Sequence, residues 1–296
     1  MTPANVSVDG FGKLFSIALD GHVPAQPLYV SGLSINGVNH NILYVATEHD
    51  SVYAFDADDG TQLWKRSMVP NGETVSDDVG CPQITPEMGV TATPVIDRSA
   101  GANGTMYVQA MTQDGSGAYH QRLHAIDLLD GHELDNSPVD ITATYPGKGD
   151  NSTNGQVVFD PKRYKERTAL TLANGKIYTF WASHCDTRPY TGFMMAYDAS
   201  TLKQTAVWNT DPNGNDGSVW GAGAGPAVDP AGNLVFLVGN GSLDTNLDAN
   251  GFPTNGNIGN SFIKLSDAGD HMQVLDYFSP FNTLAENAVD EDLGSG

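Results

Sequence analysis

The chain has 296 residues, 14 basic and 35 acidic, for a formal net charge of −21 and a pI near 4.4. Such a surface repels a phosphate backbone and excludes nucleic acid as a partner, whereas clustered carboxylates suit a divalent cation. The longest apolar runs are only a few residues, which excludes membrane insertion by a helix. The opening Met1-Thr2-Pro3-Ala4-Asn5 lacks the basic and apolar regions of a signal peptide, so the chain is either cytoplasmic or a segment that begins after cleavage.

Taken in order, residues 1–20 contain one extended run, Phe11 to Ala18, which reads as a lone strand of a closing blade. From Leu43 to Trp64 the pattern becomes explicit. Leu43, Val45 and Thr47 alternate with Tyr44 and Ala46, the period-two signal of a strand. Val52 to Asp56 is a second run, and Asp58-Asp59-Gly60 supplies turn chemistry before a third strand ending on Trp64. The unit recurs. Tyr53-Ala54-Phe55-Asp56 is matched by His124-Ala125-Ile126-Asp127, by Met195-Ala196-Tyr197-Asp198 and loosely by Ile263-Lys264-Leu265-Ser266, at offsets of 71, 71 and 68 residues. Each copy follows an aromatic-bearing strand and precedes a turn, respectively DADDG, LLDG, DAST and SDAG.

Four short strands per repeat, without helical periodicity, are the signature of an all-β propeller built from four-stranded antiparallel blades. The blades are expected near 21–70, 88–145, 166–210 and 223–279, with 280–296 leading toward a further blade. Four blades make an incomplete propeller, so a larger ring of seven or eight is expected.

In an up-and-down blade the A–B and C–D turns lie on one face, and the B–C loops and D–A crossovers on the other. The first set is short, except for a longer A–B link in the first blade. The second set is long: Arg66–Gly89, Gln113–Gln121, Pro146–Lys165, Ser183–Gly192, Asp211–Ala222 and Asn240–Asn260. Long loops on a rigid scaffold carry function, so a small molecule or protein partner is expected at this second face.

Cys81 and Cys185 both fall there, either as a disulfide or as two partly buried thiols. His184-Cys185-Asp186 and Glu48-His49-Asp50 read as metal or catalytic trios, or as polar groups bonding the loop backbone. Asp244-x-Asn246-x-Asp248-x-Asn250-Gly251 has oxygen ligands at alternate positions, as a calcium loop requires, but Ala249 and Asn255 stand where such a loop carries glycine and glutamate. An Asn/Asp-rich turn is the competing reading. The four tryptophans, Trp64, Trp181, Trp208 and Trp220, are expected to dock blades together.

These units resemble the PQQ-type repeat of the quinoprotein alcohol dehydrogenase-like propellers. Gly217-Ser218-Val219-Trp220, then Asp229-Pro230, then Leu234 to Asn240 with its Val-Gly-Asn, is similar to the tryptophan … DP … GTGN run of those enzymes. Asp276-Tyr277-Phe278-Ser279-Pro280 and the acidic tail after it resemble their T-P-H-D-x-W-D-x-D segment. The resemblance implies PQQ and calcium as cofactors. It implies Asn240 and Asp186 as metal ligands, Cys81, Trp220 and Gly239 against the quinone, and Asp290 or Asp292 as catalytic base. Cys81 is single where that family carries two adjacent cysteines, and Thr187 stands where its glutamate ligand aligns, one position from Asp186.

The expected function is therefore a secreted or periplasmic PQQ-like propeller that binds a ligand or protein through its long-loop face. The alternative is a PQQ- and calcium-dependent oxidoreductase of alcohols or sugars. A hydrolase or lyase on the same face has only scattered His and Asp behind it.

Overall fold

A computed structural model describes residues 2, 6, 7, 10–35, 37–267 and 271–293. Its strands follow the alternation read above. The first blade is β1 (Leu28–Ile35), β2 (Val38–Ala46), β3 (Ser51–Asp56) and β4 (Gln62–Ser67), paired in sequence order. After β5 (Glu73–Asp77) and β6 (Glu87–Met88) comes the second blade: β7 (Val95–Asp97), β8 (Thr105–Asp114), β9 (Tyr119–Asp127) and β10 (Val139–Asp140). A small sheet of β11 (Thr144–Pro146), β12 (Ser152–Thr153) and β13 (Gln156–Val158) fills the next crossover. The third blade comprises β14 (Tyr164–Glu166), β15 (Thr171–Ala173), β16 (Lys176–Ser183), β17 (Phe193–Asp198) and β18 (Gln204–Asn209). The fourth has β19 (Ala227–Val228), β20 (Leu234–Leu237), β21 (Phe262–Asp267) and β22 (Met272–Phe278), followed by one helical turn, α1 (Thr283–Asn287). The pairings between these strands are antiparallel, as short connections between neighbouring strands allow, and one isolated bridge, Thr191 with Asp216, is parallel.

The inner strand is broken in the second and third blades. β7 pairs with the start of β8 while β5 pairs with its far end, and β15 and β14 divide β16 in the same way. In the third blade residues 167–170 bulge out between the two pieces. A bulge re-aims side chains, and this one turns Arg167 toward the ring of Trp220.

Because successive side chains point to opposite faces of a strand, one strand serves two interfaces. Met106 and Val108 pack with Ile42, Tyr44 and Trp64 between the first two blades, whereas Tyr107 packs with Ile177, Trp181 and Phe193 on the other side. Tyr178 and Phe180 in turn face Trp208, Leu234 and Phe236 of the next interface. Polar pins cross these layers: the Tyr44 hydroxyl and Trp64 Nε1 both donate to the Leu128 carbonyl, at 2.8 and 3.2 Å. Trp64, Trp181 and Trp208 thus dock blades, as expected.

Several loop and terminal expectations need correction. Phe11 to Ala18 forms no strand. It runs as irregular chain over the first blade, where Ile17 and Leu19 cover Val45, Tyr53 and Phe55, while residues 1, 3–5, 8 and 9 lie outside the described ones. The first A–B link is a tight hairpin, with Ile35 opposite Val38. Gln113–Gln121 is not a loop, because β8 and β9 extend through it and the Asp114 carboxylate bonds the N–H groups of Ser116 and Ala118. Residues 280–293 carry α1 and fold back instead of leading away as a strand; 294–296 lie outside the described residues, as do 268–270 of the SDAG turn. The long-loop face is therefore built from the crossovers and from the B–C loops of the third and fourth blades.

Trp181 is fully buried, its ring 4.7 Å from that of Phe159 and edge-on to it. Trp181→Ala should lower unfolding free energy in urea by about 3–5 kcal/mol, while Leu247→Ala, at an exposed position, should stay within about 0.5 kcal/mol.

Candidate functional site

The Val-Gly-Asn run leaves β20 at the long-loop face and meets the returning C-terminal segment. Asn240 is clasped from both sides. Its backbone N–H donates to Asp292 Oδ1 at 2.5 Å, and its side-chain Nδ2 donates to Asp290 Oδ1 at 2.6 Å. Asn287 exchanges two bonds with the backbone of Gly241, and the Leu293 N–H donates to Asn260 Oδ1 at 2.7 Å. Gly239 has to be glycine, since a Cβ there would lie 2.6 Å from Trp220 Cδ1 and 2.7 Å from Asp292 Oδ1. Residues fifty apart in sequence thus form one knot against the tryptophan.

Asp186 approaches from the B–C loop of the third blade, its carboxylate taking the Tyr190 hydroxyl. Cys185 and Asp186 both hold positive φ, 52° and 54°, a left-handed conformation unusual for such residues. Asp216 lies nearby, and Arg188 reaches Asp150 at 2.8 Å and Asp216 at 3.5 Å. Burial pushes Asp216 up to about 6; Arg188 opposes this, and the negative fields of Asp186, Asp150 and Asp290 add to it. Asp292 is raised by burial too, against the Asn240 N–H bond and with the fields of Asp290 and Asp186. Of these five carboxylates, Arg188 pairs with two, Asp150 and Asp216. Among the described residues, Asn240 Oδ1 and the Oδ2 atoms of Asp290 and Asp292 make no protein hydrogen bond, which leaves hard oxygen donors such as calcium prefers. Asp186 does not close the set: Asp186, Asp290 and Asp292 do not bring three carboxylate oxygens all within 4.8 Å of one another. The described trio that meets that spacing is Asp127, Asp130 and His132, on the opposite face at a C–D turn.

Trp220 is buried with its Nε1 unpartnered, and the Arg167 guanidinium covers its ring at 5.4 Å from the centroid. Cys81 bonds to Cys185, 104 residues on, which joins the first crossover to the third blade's loop. Glu48 and Asp50 are buried. The Glu48 carboxylate takes the Gly89 N–H at 2.7 Å and the Thr91 hydroxyl at 2.8 Å, and His49 pairs with Glu87, so that trio holds loop to crossover. The 244–251 stretch folds as an Asn/Asp-rich turn. Asp244 accepts from the N–H groups of Asn246 and Asn255 and the Thr254 hydroxyl, and Asp248 from those of Asn250 and Phe252, so the aspartates organise the loop backbone. His184 is buried with both ring nitrogens unpartnered, and burial holds it down to about 3, so it stays neutral.

Asp150, Asp216, Arg188 and Arg167 carry no motif and were not expected here. The one hint in the sequence is that 211–225, a Gly/Asn-rich crossover, retains two aspartates.

No family model matches the chain, and no curated protein matches it in sequence. Solved structures do. Quinohemoprotein alcohol dehydrogenase ADHIIG from Pseudomonas putida HK5 is 22% identical, with a TM-score of 0.54 over 89% of this chain and 35% of that one. The fold is that of the quinoprotein dehydrogenase β-propellers. Quinohemoprotein alcohol dehydrogenase from Comamonas testosteroni is 17% identical, with a TM-score of 0.53 over 88% of this chain and 35% of that chain. A europium-containing methanol dehydrogenase is 12% identical, with a TM-score of 0.50 over 86% and 44%. The chain thus spans about a third of the quinohemoprotein structures it matches, in keeping with a partial propeller.

Two predictions follow from this geometry. Reducing Cys81–Cys185, or replacing both by serine, should lower unfolding free energy by about 4–5 kcal/mol, read as a shifted urea midpoint. Because the folded pKa of Asp216 lies above the ordinary 3.8, its ionisation costs stability as pH rises from about 4 to about 6, and the cost is constant above that. Asp216→Asn should therefore be relatively more stable at pH 7 than at pH 4, with a flatter stability profile between them.

Proposed function

We propose that this chain is the cation-carrying part of a longer PQQ-type propeller, which works outside the cytoplasm and binds a small ligand or a protein at its long-loop face. The observation that carries the reading is Asn240 held between Asp290 and Asp292, with three side-chain oxygens left over beside Trp220. A hard cation there relieves the mutual repulsion of the surrounding carboxylates and leaves coordination positions for a ligand oxygen. The Cys81–Cys185 bond supports an oxidising compartment, hence a secreted or periplasmic setting. Among the described residues no helix is long and apolar enough to cross a membrane.

The residues fit the cation better than the quinone. A planar cofactor needs both faces covered, yet Arg167 already occupies the ring of Trp220, and Cys81 pairs with a distant cysteine rather than an adjacent one. Ligand binding therefore stands ahead of oxidation of alcohols or sugars.

Terbium titration of the intact protein tests the site, since Tb(III) replaces calcium at oxygen sites and is sensitised by a nearby tryptophan. Emission excited at the indole band should saturate at micromolar terbium and vanish in Trp220→Phe. Asn240→Ala and the Asp290→Asn/Asp292→Asn pair should each weaken binding about tenfold or more. Undiminished affinity in the double variant would sink the reading. In a parallel arm PQQ and calcium are added before desalting. Quinone absorbance that stays with the protein, with dye reduction by alcohols, would replace ligand binding by the oxidoreductase function.

A further inference from the structure

Two cations line a cavity of about 270 Å³, with Pro24, Gln83, Ile84 and Thr91 among the other walls, and one of the two, Arg167, lies over the face of Trp220. Lys165 lies on β14, opposite Ala182 in the ladder, and only 5% of its surface is exposed. Its ammonium forms no ion pair or hydrogen bond with a described residue. The nearest opposing charge, Glu48, is committed to the Gly89 N–H and the Thr91 hydroxyl and acts on Lys165 only at a distance. Arg167 sits two residues on, in the bulge of the same inner strand. Its guanidinium contacts the Trp220 ring and makes no ion pair among the described residues. Burial holds both cations below their ordinary pKa values, Lys165 at about 8, and the Arg167 charge adds to the effect at Lys165.

A buried and a half-buried cation side by side, both unpaired among the described residues, are expensive, and in a chain with 35 acidic residues the missing partners are conspicuous. The half-buried cations Arg122 and Lys176, by contrast, are matched, Arg122 by Glu73 and Asp140 and Lys176 by Asp267. Lys165 and Arg167 differ in facing a cavity instead of a carboxylate. The cavity's composition narrows what enters it. The Arg167 fork suits a planar carboxylate, Lys165 offers a second, separate positive point, and Pro24 and Ile84 give the body of the ligand apolar contact. Thr91 has already given its hydroxyl proton to Glu48, so the cations and the Gln83 amide are the donors available.

We propose that this cavity is a receptor for a small organic dicarboxylate, with one carboxylate on Arg167 and the other on Lys165. The site is separate from the Asn240 cluster and shares only Trp220 with it.

Isothermal titration of the intact protein with phthalate, succinate, acetate and inorganic phosphate tests this. Phthalate and succinate should bind at micromolar to millimolar concentration, and acetate about tenfold or more weakly, because it satisfies one cation. Phthalate should also alter Trp220 emission as Arg167 is drawn toward the ligand, a change absent in Trp220→Phe. Lys165→Met and Arg167→Met, which keep the aliphatic stems, should each weaken phthalate about tenfold, while Asp290→Asn leaves it unchanged. Without ligand, both methionine variants should be at least as resistant to urea as the parent, which a lysine or arginine needed only for the fold would not allow. Absent binding of either dicarboxylate overturns the proposal, as does phosphate binding more tightly than both. So does acetate equal to phthalate, which is read on the parent protein alone and needs no variant to fold.

Discussion

A strand inside this stack has no outside. The second and third blades are each sandwiched between neighbours, so their middle strands must be apolar on both faces and the polar alternation of an ordinary surface sheet is lost. β16 and β17 obey this fully, with Ile177 and Tyr178, or Met194 and Met195, serving opposite interfaces. What remains for chemistry is the ends of strands and the loops between blades. The arrangement places every charged group of interest on a rim that the packing has already positioned.

At that rim the electrostatics divide about one indole ring. At the edge of Trp220 carboxylates crowd together with Arg188 among them; at its face lies Arg167, which, like Lys165, forms no ion pair among the described residues. A surface with random placement would mix the signs and neutralise both sides. The backbone holds them apart: Gly239 lets Asp292 approach the indole edge, and the bulge at 167–170 lays Arg167 over its face. Neither arrangement draws on a long-range field. Each follows from local geometry at a strand end.

The blades were legible in the sequence because they repeat. Tyr53 to Asp56 and its copies advertise the same hairpin at near-constant spacing, and alternation within each copy gives the register. Asn240, Trp220, Gly239, Asp290 and Asp292 were also readable as a group, through a resemblance to a known repeat, although spacing alone says nothing of their meeting. The N-terminal strand and the Gln113–Gln121 loop were misread for opposite reasons. Phe11 to Ala18 has the residues of a strand but meets the first blade through side chains such as Ile17 rather than by backbone pairing, while Asp114 to Ala118 has the composition of a loop and simply caps a longer hairpin. Lys165 and Arg167 were invisible. A charged residue in an inner strand reads as an error in the pattern unless the bulge beside it is known. Asp216 was hidden for a different reason, since Gly/Asn-rich sequence yields no period from which to argue.

The disulfide has a mechanical meaning beyond its contribution to stability. In arrays of repeats each unit touches only its neighbours, so cooperativity decays with distance and ends can fray alone. Cys81–Cys185 breaks that rule by tying the exit of the first blade to a loop of the third, which encloses the whole second blade in a covalent ring. Three blades are thereby tied by one covalent link, with Lys165 inside the closed loop. The fourth blade and the segment carrying Asp290 and Asp292 lie outside that loop and are held to the third blade by packing such as that of Phe236 on Phe180 and Trp208. The knot around Asn240 therefore belongs to a part of the molecule that the disulfide does not restrain, and a cation bound there would act as a second, non-covalent clasp.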